Sequence, residues 1–268
     1  MQRRRRPAHT HRHPGHPRVE IIAHRGASHH APENTLTAVH RAWAEGAAGV
    51  EVDVHLSRDG RIVVIHDDNT HRTAGVDRPV VQQSLADLRS LDVGRWKGPL
   101  WAGEKIPTLE EVLAAVPSGR RLFVEIKCGV QLVPVLARVL AQAAQTQVVL
   151  IGASFTVMKT VKQRLPDHEV LWVLEFLKTG KDASWARLAT WLVRQAAGAG
   201  LDGFDLDVAG RVDARFVEQA RAAGLKSYVW TVDSREVADQ LARAGVDGIT
   251  TNRPGYLRQR PGSDPWPS

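Results

Sequence analysis

The 268-residue chain contains 43% hydrophobic residues, enough for one large domain with a buried core or for two small ones. Its net charge of +7 comes mainly from residues 1–18, which hold six arginines and no acidic residue, so residues 19–268 carry only +1. This distribution argues against a basic nucleic-acid groove, the single cysteine excludes an intrachain disulfide, and the lack of long apolar runs argues against a transmembrane helix.

The two ends of the chain differ in composition from the middle. Residues 1–18 are rich in arginine and histidine and have almost no apolar side chain to bury, so we predict a disordered basic tail there. No apolar stretch follows the arginines at 3–6, which argues against an export signal and, with the single cysteine, favours a cytoplasmic protein. We predict one domain over residues 19–258 and a short C-terminal tail over 259–268.

Strand-like and helix-like patterns alternate from residue 19 onward. Short apolar runs predict eight strands, at 19–23, 49–55, 121–126, 148–152, 169–174, 202–206, 226–230 and 246–250. Helical spacing predicts one helix that is capped by Asn34 or Thr35. It predicts further helices near 130–145, 155–164, 183–197, 211–222 and 234–243. Alternating units imply parallel strands with right-handed crossovers, and eight of them predict a (β/α)₈ barrel.

One segment breaks this alternation after the second strand. Ser57–Gly60 is a turn signal, so the segment 61–66 is predicted to form a hairpin with the second strand and to place His66 opposite Glu51 or Val52. Residues 68–107 then form a long insertion with one short helix near 84–90. Long insertions at a barrel rim are commonly functional lids.

Charged side chains share one face of two predicted strands. Side chains alternate along a strand, so Glu51 and Asp53 point to the same side about 7 Å apart, with valines on the other side. Glu125 and Lys127 share a face in the same way. A strand buried on both faces is normally a continuous apolar run. Three acids and a lysine on a buried face therefore indicate that a cationic group, and an anionic one, bind between them.

Together these features resemble the glycerophosphodiester phosphodiesterase family over about residues 19–257, in order and in spacing. The residues that carry the resemblance are His24-Arg25-Gly26, Pro32-Glu33-Asn34-Thr35, Glu51-x-Asp53-Val54, Asp59-Gly60, Val63-Val64-Ile65-His66-Asp67, Arg72-Thr73-x-Gly75, Ile106-Pro107-Thr108-Leu109-Glu110-Glu111-Val112-Leu113, Glu125-x-Lys127, Ser154-Phe155, Trp230-Thr231 and Asp247-Gly248-Ile249-x-Thr251-Asn252-x-Pro254.

The resemblance implies a barrel with a segment inserted after its second strand. It also implies metal-assisted hydrolysis of a glycerophosphodiester to glycerol 3-phosphate and an alcohol. Glu51, Asp53 and Glu125 are hard oxygen ligands, which suit one divalent cation, Mg²⁺ or Ca²⁺, better than zinc.

Four further residues are expected to act on the substrate. Arg25 and Lys127 would bind the phosphate. His24 and His66 would form the acid–base pair, because imidazole titrates near neutral pH. Which histidine starts as the base stays open.

Other residues are expected to line or support the site. Trp230, at the end of a strand, would form a wall for the glycerol moiety. Glu33 and Asn34 would lie behind the residues that touch substrate, and Asp67 would either contact His66 or cap the following turn. His55 would either line the pocket or pack behind it.

Two alternatives remain at this point. A phospholipase D-like lyase on the same fold would leave a cyclic phosphate and would need an apolar entrance, for which Trp96 and Trp101 in the insertion are candidates. A protein that binds nucleic acid through its basic tail is the alternative from another class, and the nearly neutral body argues against it. We expect a small-molecule partner and no specific nucleic acid, and the oligomeric state is left open.

Overall fold

Eight parallel strands close into a barrel, as predicted. The computed structural model describes residues 19–143, 146–175, 182–210 and 212–259. The predicted N-terminal tail and most of the predicted C-terminal tail lie outside these residues. The barrel strands are β1 (Glu20–Ala23), β2 (Gly49–Leu56), β4 (Arg121–Ile126), β5 (Gln147–Gly152), β6 (Glu169–Leu174), β7 (Gly203–Asp207), β8 (Lys226–Trp230) and β9 (Gly248–Thr251), and β3 (Ile62–Val64) is an additional strand.

The order around the sheet is β1-β9-β8-β7-β6-β5-β4-β2-β3, and a β1–β2 pairing closes the ring. One edge of β2 is shared by two strands. Its first residues pair with β1 in parallel, and its last residues pair with β3 in antiparallel orientation. The second strand therefore extends beyond the barrel as a hairpin, as the turn signal predicted.

The helices cover the outside of the barrel and fill the insertion. They are α1 (Leu36–Ala44), α2 (His71–Ala74), α3 (Leu85–Ser90), α4 (Leu109–Ala114), α5 (Val133–Ala141), α6 (Phe155–Arg164), α7 (Asp182–Gly198), α8 (Ala214–Ala222), α9 (Arg235–Ala244) and α10 (Pro254–Arg258). The helix predicted near 130–145 starts later, because a 3₁₀ turn at Val130–Leu132 precedes it, and it ends at Ala141. The short helices α2 and α10 were not predicted. Among the described residues, no helix is both long enough and apolar enough to cross a membrane.

Apolar side chains fill two separate spaces on either side of the barrel wall. Outward-facing strand residues pack against the helices in one large cluster. Inward-facing residues fill the barrel itself, namely Ile22, Phe123, Val149, Ile151, Leu171, Val173 and Tyr228. The barrel interior is thus a packed core, and polar groups on inward faces collect at its two ends.

An ion-pair network closes the amino-terminal end of the barrel. Arg121 Nη1 lies 2.6 Å from Glu20 Oε2 and donates to the Tyr228 hydroxyl at 2.8 Å, while its Nη2 lies 2.8 Å from Glu169 Oε2. Lys226 Nζ reaches the same Glu169 oxygen at 2.7 Å. These residues come from β1, β4, β6 and β8, so one guanidinium joins strands from several sides of the barrel.

The insertion packs as a small lobe beside the carboxyl-terminal end of the barrel. Val63, Ile65, Val80, Leu88, Val93 and Ile106 form its own apolar cluster. Lys97 Nζ donates to the carbonyl of Ser28, 2.6 Å away, which ties the lobe to the loop that follows β1. The lobe therefore lies next to the end of the barrel that carries the charged side chains.

Candidate active site

The residues predicted to carry chemistry meet at the carboxyl-terminal ends of neighbouring strands. His24 directly follows β1, Glu51 and Asp53 lie in β2, and Glu125 lies in β4 with Lys127 just beyond it. Parallel pairing puts Asp53 directly beside Glu125. Barrel enzymes build their active sites at this end.

The turn after β1 requires glycine. Arg25 and Gly26 both have a left-handed backbone, with φ of 54° and 81°. A Cβ atom on Gly26 would lie 2.5 Å from the carbonyl carbon of Ala38 in α1, so only glycine allows this close approach. The turn points the Arg25 amide at Glu51 Oε2, 2.9 Å away.

Three carboxylates form a cluster that fits a cation. One oxygen each from Glu51, Asp53 and Glu125 can be chosen so that all three lie within 4.8 Å of one another. Burial, followed by the charges of Asp53 and Glu125, raises the pKa of Glu51 well above its ordinary value. Glu51 Oε1 is buried and has no hydrogen-bond partner among the described residues. A divalent cation would satisfy this oxygen and relieve the repulsion, so the donor set fits the group that the sequence predicts.

Two cations flank the cluster. Arg25 Nε lies 3.2 Å from Asp53 Oδ2, and Lys127 Nζ lies 3.2 Å from Asp53 Oδ1 and 2.8 Å from Glu125 Oε1. Burial alone would raise the pKa of Asp53, but Lys127 and Arg25 lower it to about 2. Asp53 is therefore ionised at neutral pH although its side chain is fully buried.

Asn34 fixes the orientation of Asp53. Its Nδ2 donates to Asp53 Oδ2 at 2.7 Å, and its Oδ1 accepts from the Asp53 amide at 3.2 Å. Asn34 itself is held in a left-handed conformation with φ of 57°, which asparagine tolerates better than most residues. Asn34, which was predicted to lie behind the residues that touch substrate, therefore holds Asp53 by two hydrogen bonds.

His24 is bonded to an amide and not to a carboxylate. Its Nδ1 lies 2.8 Å from Asn252 Oδ1, and Asn252 directly follows β9. Burial, and then the neighbouring charge of Arg25, lowers the pKa of His24 to about 4. The imidazole is therefore neutral at physiological pH.

His66 has the opposite kind of partner. Its Nδ1 lies 2.6 Å from Asp67 Oδ1, so of the two roles predicted for Asp67 the contact with His66 is present. The hairpin register pairs Val54 with Val64, where β3 ends, so His66 lies two residues beyond the paired part of the hairpin.

Arg72 joins the insertion to the site. It makes two hydrogen bonds to Asp67 and two to Glu33, between 2.7 and 3.0 Å. Glu33 also accepts from Arg25 Nη1 at 2.9 Å. The hydrogen bond from Arg72 is the largest cause that lowers the pKa of Asp67 to about 2; the bond to His66 and the charge of Arg72 contribute less. A series of ion pairs thus runs from Arg25 through Glu33 and Arg72 to Asp67, which bonds to His66.

Trp230 and His55 are the other two residues that were predicted near the pocket. Trp230 is partly buried above the apolar core of the barrel, and its Nε1 lies 3.4 Å from the carbonyl of Asp205. His55 is buried, and its Nε2 donates to the backbone carbonyl of His66 at 3.0 Å. His55 therefore packs behind the site and supports the segment that carries His66.

Three residues that shape the site, Arg72, Asp233 and Asn252, have no predicted role; Asp233 accepts hydrogen bonds from the side chain and the backbone amide of Asn252. Two of them stand inside motifs quoted for the family resemblance, at Arg72-Thr73 and Thr251-Asn252. The contacts of Arg72 with Glu33 and of Asn252 with His24 span 39 and 228 positions of sequence, so no local pattern could have identified them.

Comparison with known proteins agrees with this geometry. A model of the glycerophosphoryl diester phosphodiesterase family matches residues 24–256. The chain belongs to this family. A glycerophosphodiester phosphodiesterase from Caldanaerobacter subterraneus subsp. tengcongensis is 33% identical over 244 residues, which cover 88% of this chain and 95% of the relative. One from Bacillus subtilis is 29% identical over 263 residues, covering 90% and 86% of the two chains.

A solved structure gives the same picture. An Oleispira antarctica phosphodiesterase, in complex with the product sn-glycerol-3-phosphate, superposes with a TM-score of 0.79 at 28% identity. The match covers 90% of this chain and 96% of that one. The family, the (β/α)₈ fold and the enzyme class expected from sequence, a phosphoric diester hydrolase, are thereby confirmed.

Proposed function

We propose that the protein hydrolyses glycerophosphodiesters to glycerol 3-phosphate and an alcohol, with one divalent cation, Mg²⁺ or Ca²⁺, and a pair of histidines. The observation that carries this proposal is the buried cluster of Glu51, Asp53 and Glu125, which is flanked by His24 and His66. The substrate is a small molecule, and a cytoplasmic location agrees with the single cysteine.

Glu51, Asp53 and Glu125 would hold the cation. When bound, it would polarise a phosphoryl oxygen and orient a glycerol hydroxyl. Arg25 and Lys127 lie beside the cluster and would neutralise the phosphate and the charge that develops on its oxygens. Trp230, at the end of β8, would form a wall for the glycerol moiety. Glu33, Asn34 and Asp67 would support the site from behind, because each bonds to a residue assigned to the substrate or to the cation, namely Arg25, Asp53 and His66.

We assign the base to His24 and the acid to His66. A neutral His24 that donates through Nδ1 leaves Nε2 free to take a proton from the attacking oxygen. His66 donates through Nδ1 to Asp67, and this bond orients the ring so that its other nitrogen, Nε2, can give a proton to the leaving alcohol.

A product assay tests the reaction. A panel of glycerophosphodiesters should yield glycerol 3-phosphate and the free alcohol, with activity lost after chelation and restored by Mg²⁺ or Ca²⁺. The isosteric variant Glu51→Gln should lower kcat/KM by more than about 10²-fold and weaken cation binding in calorimetry. Glu236→Gln in α9 is the matched control and should behave as wild type. Full activity after exhaustive chelation would refute the metal role, and a cyclic phosphate product would favour the lyase.

The domain proposal has its own test. All residues placed in the site lie between His24 and Asn252, so removing residues 1–18 should leave kcat/KM unchanged. It should also remove most salt-sensitive binding to nucleic acid, because residues 19–268 carry a net charge of only +1. A truncated protein that stays folded but loses activity would place the tail at the active site.

A further inference from the structure

Three neighbouring strand ends supply a hydrogen-bonded chain that reaches His24. Asp233 lies in the loop after β8, Asn252 follows β9, and His24 follows β1. In the barrel these three strands are adjacent. This series of hydrogen bonds therefore reaches His24 from the β9 side of β1, away from the carboxylate cluster on β2 and β4.

The Asn252 side chain can adopt only one orientation. Its Nδ2 donates to Asp233 Oδ2 at 2.7 Å, and its backbone amide donates to Asp233 Oδ1 at 2.9 Å. Thr251 Oγ1 donates to the same Oδ1 at 2.8 Å. A carboxylate only accepts hydrogen bonds, so the amide nitrogen of Asn252 must face Asp233 and its oxygen must face the other way.

The other side of Asn252 meets two donors. Asn252 Oδ1 lies 2.8 Å from His24 Nδ1 and accepts from Ser28 Oγ at 2.8 Å. A carbonyl oxygen has no proton to give, so His24 must donate through Nδ1. The proton of neutral His24 is thereby placed on Nδ1, and the Nε2 lone pair is left free.

We infer that Asp233 and Asn252 are a positioning pair, which fixes the tautomer of His24 while keeping the negative charge one residue away from it. The inference rests on the proposed function, in which His24 is the base. An aspartate bonded directly to His24 would fix the same tautomer but would also favour the imidazolium form. The arrangement in this chain supplies orientation without that charge.

In the part of the chain that the structure describes, the other charged groups that act on His24 are Arg25 from the same loop, Glu33 ahead of α1 and Asp53 from β2. They stay in place when Asp233 and Asn252 are exchanged, so an exchange isolates the effect of the pair. The double variant Asp233→Asn/Asn252→Asp keeps an amide and a carboxylate in contact but moves the carboxylate onto His24.

The test combines kinetics with a spectroscopic measurement that needs no turnover. In the full chain, nitrogen-15 NMR of labelled histidine should show the His24 proton on Nδ1, with the His24→Gln spectrum identifying the signal among 12 histidines. The double variant should raise both the His24 titration midpoint and the acid limb of kcat/KM by about 1–3 pH units. Asn252→Leu, which cannot accept the bond, should lower kcat by roughly 10²-fold.

Ser28→Ala is the matched control, because it removes the other donor on Asn252 Oδ1 but leaves the bond to Asp233 intact. The acid limb should not move in this variant. A wild-type His24 protonated on Nε2 would overturn the inference, as would a folded double variant whose His24 midpoint is unchanged. A fully active His24→Gln protein would instead refute the proposed function, while the NMR result would still decide the tautomer.

Discussion

Two histidines face the same buried carboxylates, but they have different hydrogen-bond partners. His24 donates to an amide oxygen and has a pKa lowered to about 4, whereas His66 is paired with the ionised Asp67. Unequal environments are what the proposed division of roles between a base and an acid needs.

Removing either imidazole should mainly affect turnover. His24→Ala and His66→Ala should each lower kcat by roughly 10²–10⁴-fold, the usual contribution of a general acid or base. Steady-state kinetics on one glycerophosphodiester, with circular dichroism to check folding, measures this. Normal turnover in His66→Ala would show that the hairpin does not deliver a catalytic group.

Gly26, two residues after His24, is a second sensitive position. In Gly26→Ala the residue would keep a left-handed φ, and its new Cβ would lie 2.5 Å from the backbone of α1. Gly60 has a similar φ of 73°, but a Cβ there would meet no atom within 4 Å. The free energy of unfolding in urea should fall by about 1–2 kcal/mol for Gly60→Ala and by a further 1–3 kcal/mol for Gly26→Ala. If the two variants lost equal amounts of unfolding free energy, α1 would be able to move away from the new Cβ at no cost.

At the scale of elements, the insertion is attached to the site by Arg72. The four bonds of Arg72 to Glu33 and Asp67 connect α2 both to the loop ahead of α1 and to the residue that holds His66. The lobe therefore determines how Asp67 is placed, in addition to covering one side of the barrel.

Loss of this anchor should affect catalysis. Arg72→Met should lower kcat by about 10–100-fold, the range seen when a supporting partner of a site residue is lost. Arg95→Met is the control, because Arg95 lies in the same insertion and forms an exposed 3.4 Å ion pair with Asp92, a kind of pair that contributes little. If both variants keep wild-type turnover, Arg72 does not position His66.

Elements and their order were largely predictable from sequence, for identifiable reasons. Alternation of Glu51 and Asp53 with valines revealed the face of β2, and the Ser57–Gly60 turn revealed the hairpin. The capping box that starts α4 at Thr108 is a signal of the same kind, because its partner Glu111 is three residues away. Each of these signals involves residues only a few positions apart, and residue spacing predicts structure well over that range.

At the scale of the whole molecule, one end of the barrel carries chemistry and the other carries stability. Arg121 and Glu125 lie on the same strand and face of β4, about 13 Å apart. Arg121 ties together β1, β6 and β8, while Glu125 belongs to the carboxylate cluster. The two functions can therefore be perturbed separately.

Arg121→Met should destabilise the protein without changing its catalysis. Loss of the guanidinium leaves Glu20 and Glu169 without their main partner, which should cost about 2–4 kcal/mol of unfolding free energy. Lys226→Met, at a half-exposed end of the same network, should cost less than about 1 kcal/mol. Urea unfolding measures both, and kcat at low temperature should match wild type. A large fall in kcat for folded Arg121→Met would contradict this separation.

Contacts between distant parts of the chain were not predictable. The His24–Asn252 bond joins residues 228 positions apart, and the Arg121–Tyr228 bond joins residues 107 apart. A single sequence records which side chains are polar but not which of them meet once the ring has closed. The acids and histidines were therefore found, while the residues that orient them were not.

Closure of the ring also has a consequence for how the protein is made. β1 is held between β2 and β9, and its His24 is oriented by a residue that follows β9. During synthesis His24 emerges from the ribosome early, but Asn252, which orients it, emerges more than two hundred residues later. A chain interrupted before β9 would carry every acid of the cluster and both histidines and still lack a finished site. Phosphodiesterase activity therefore marks a chain whose last strand has been inserted.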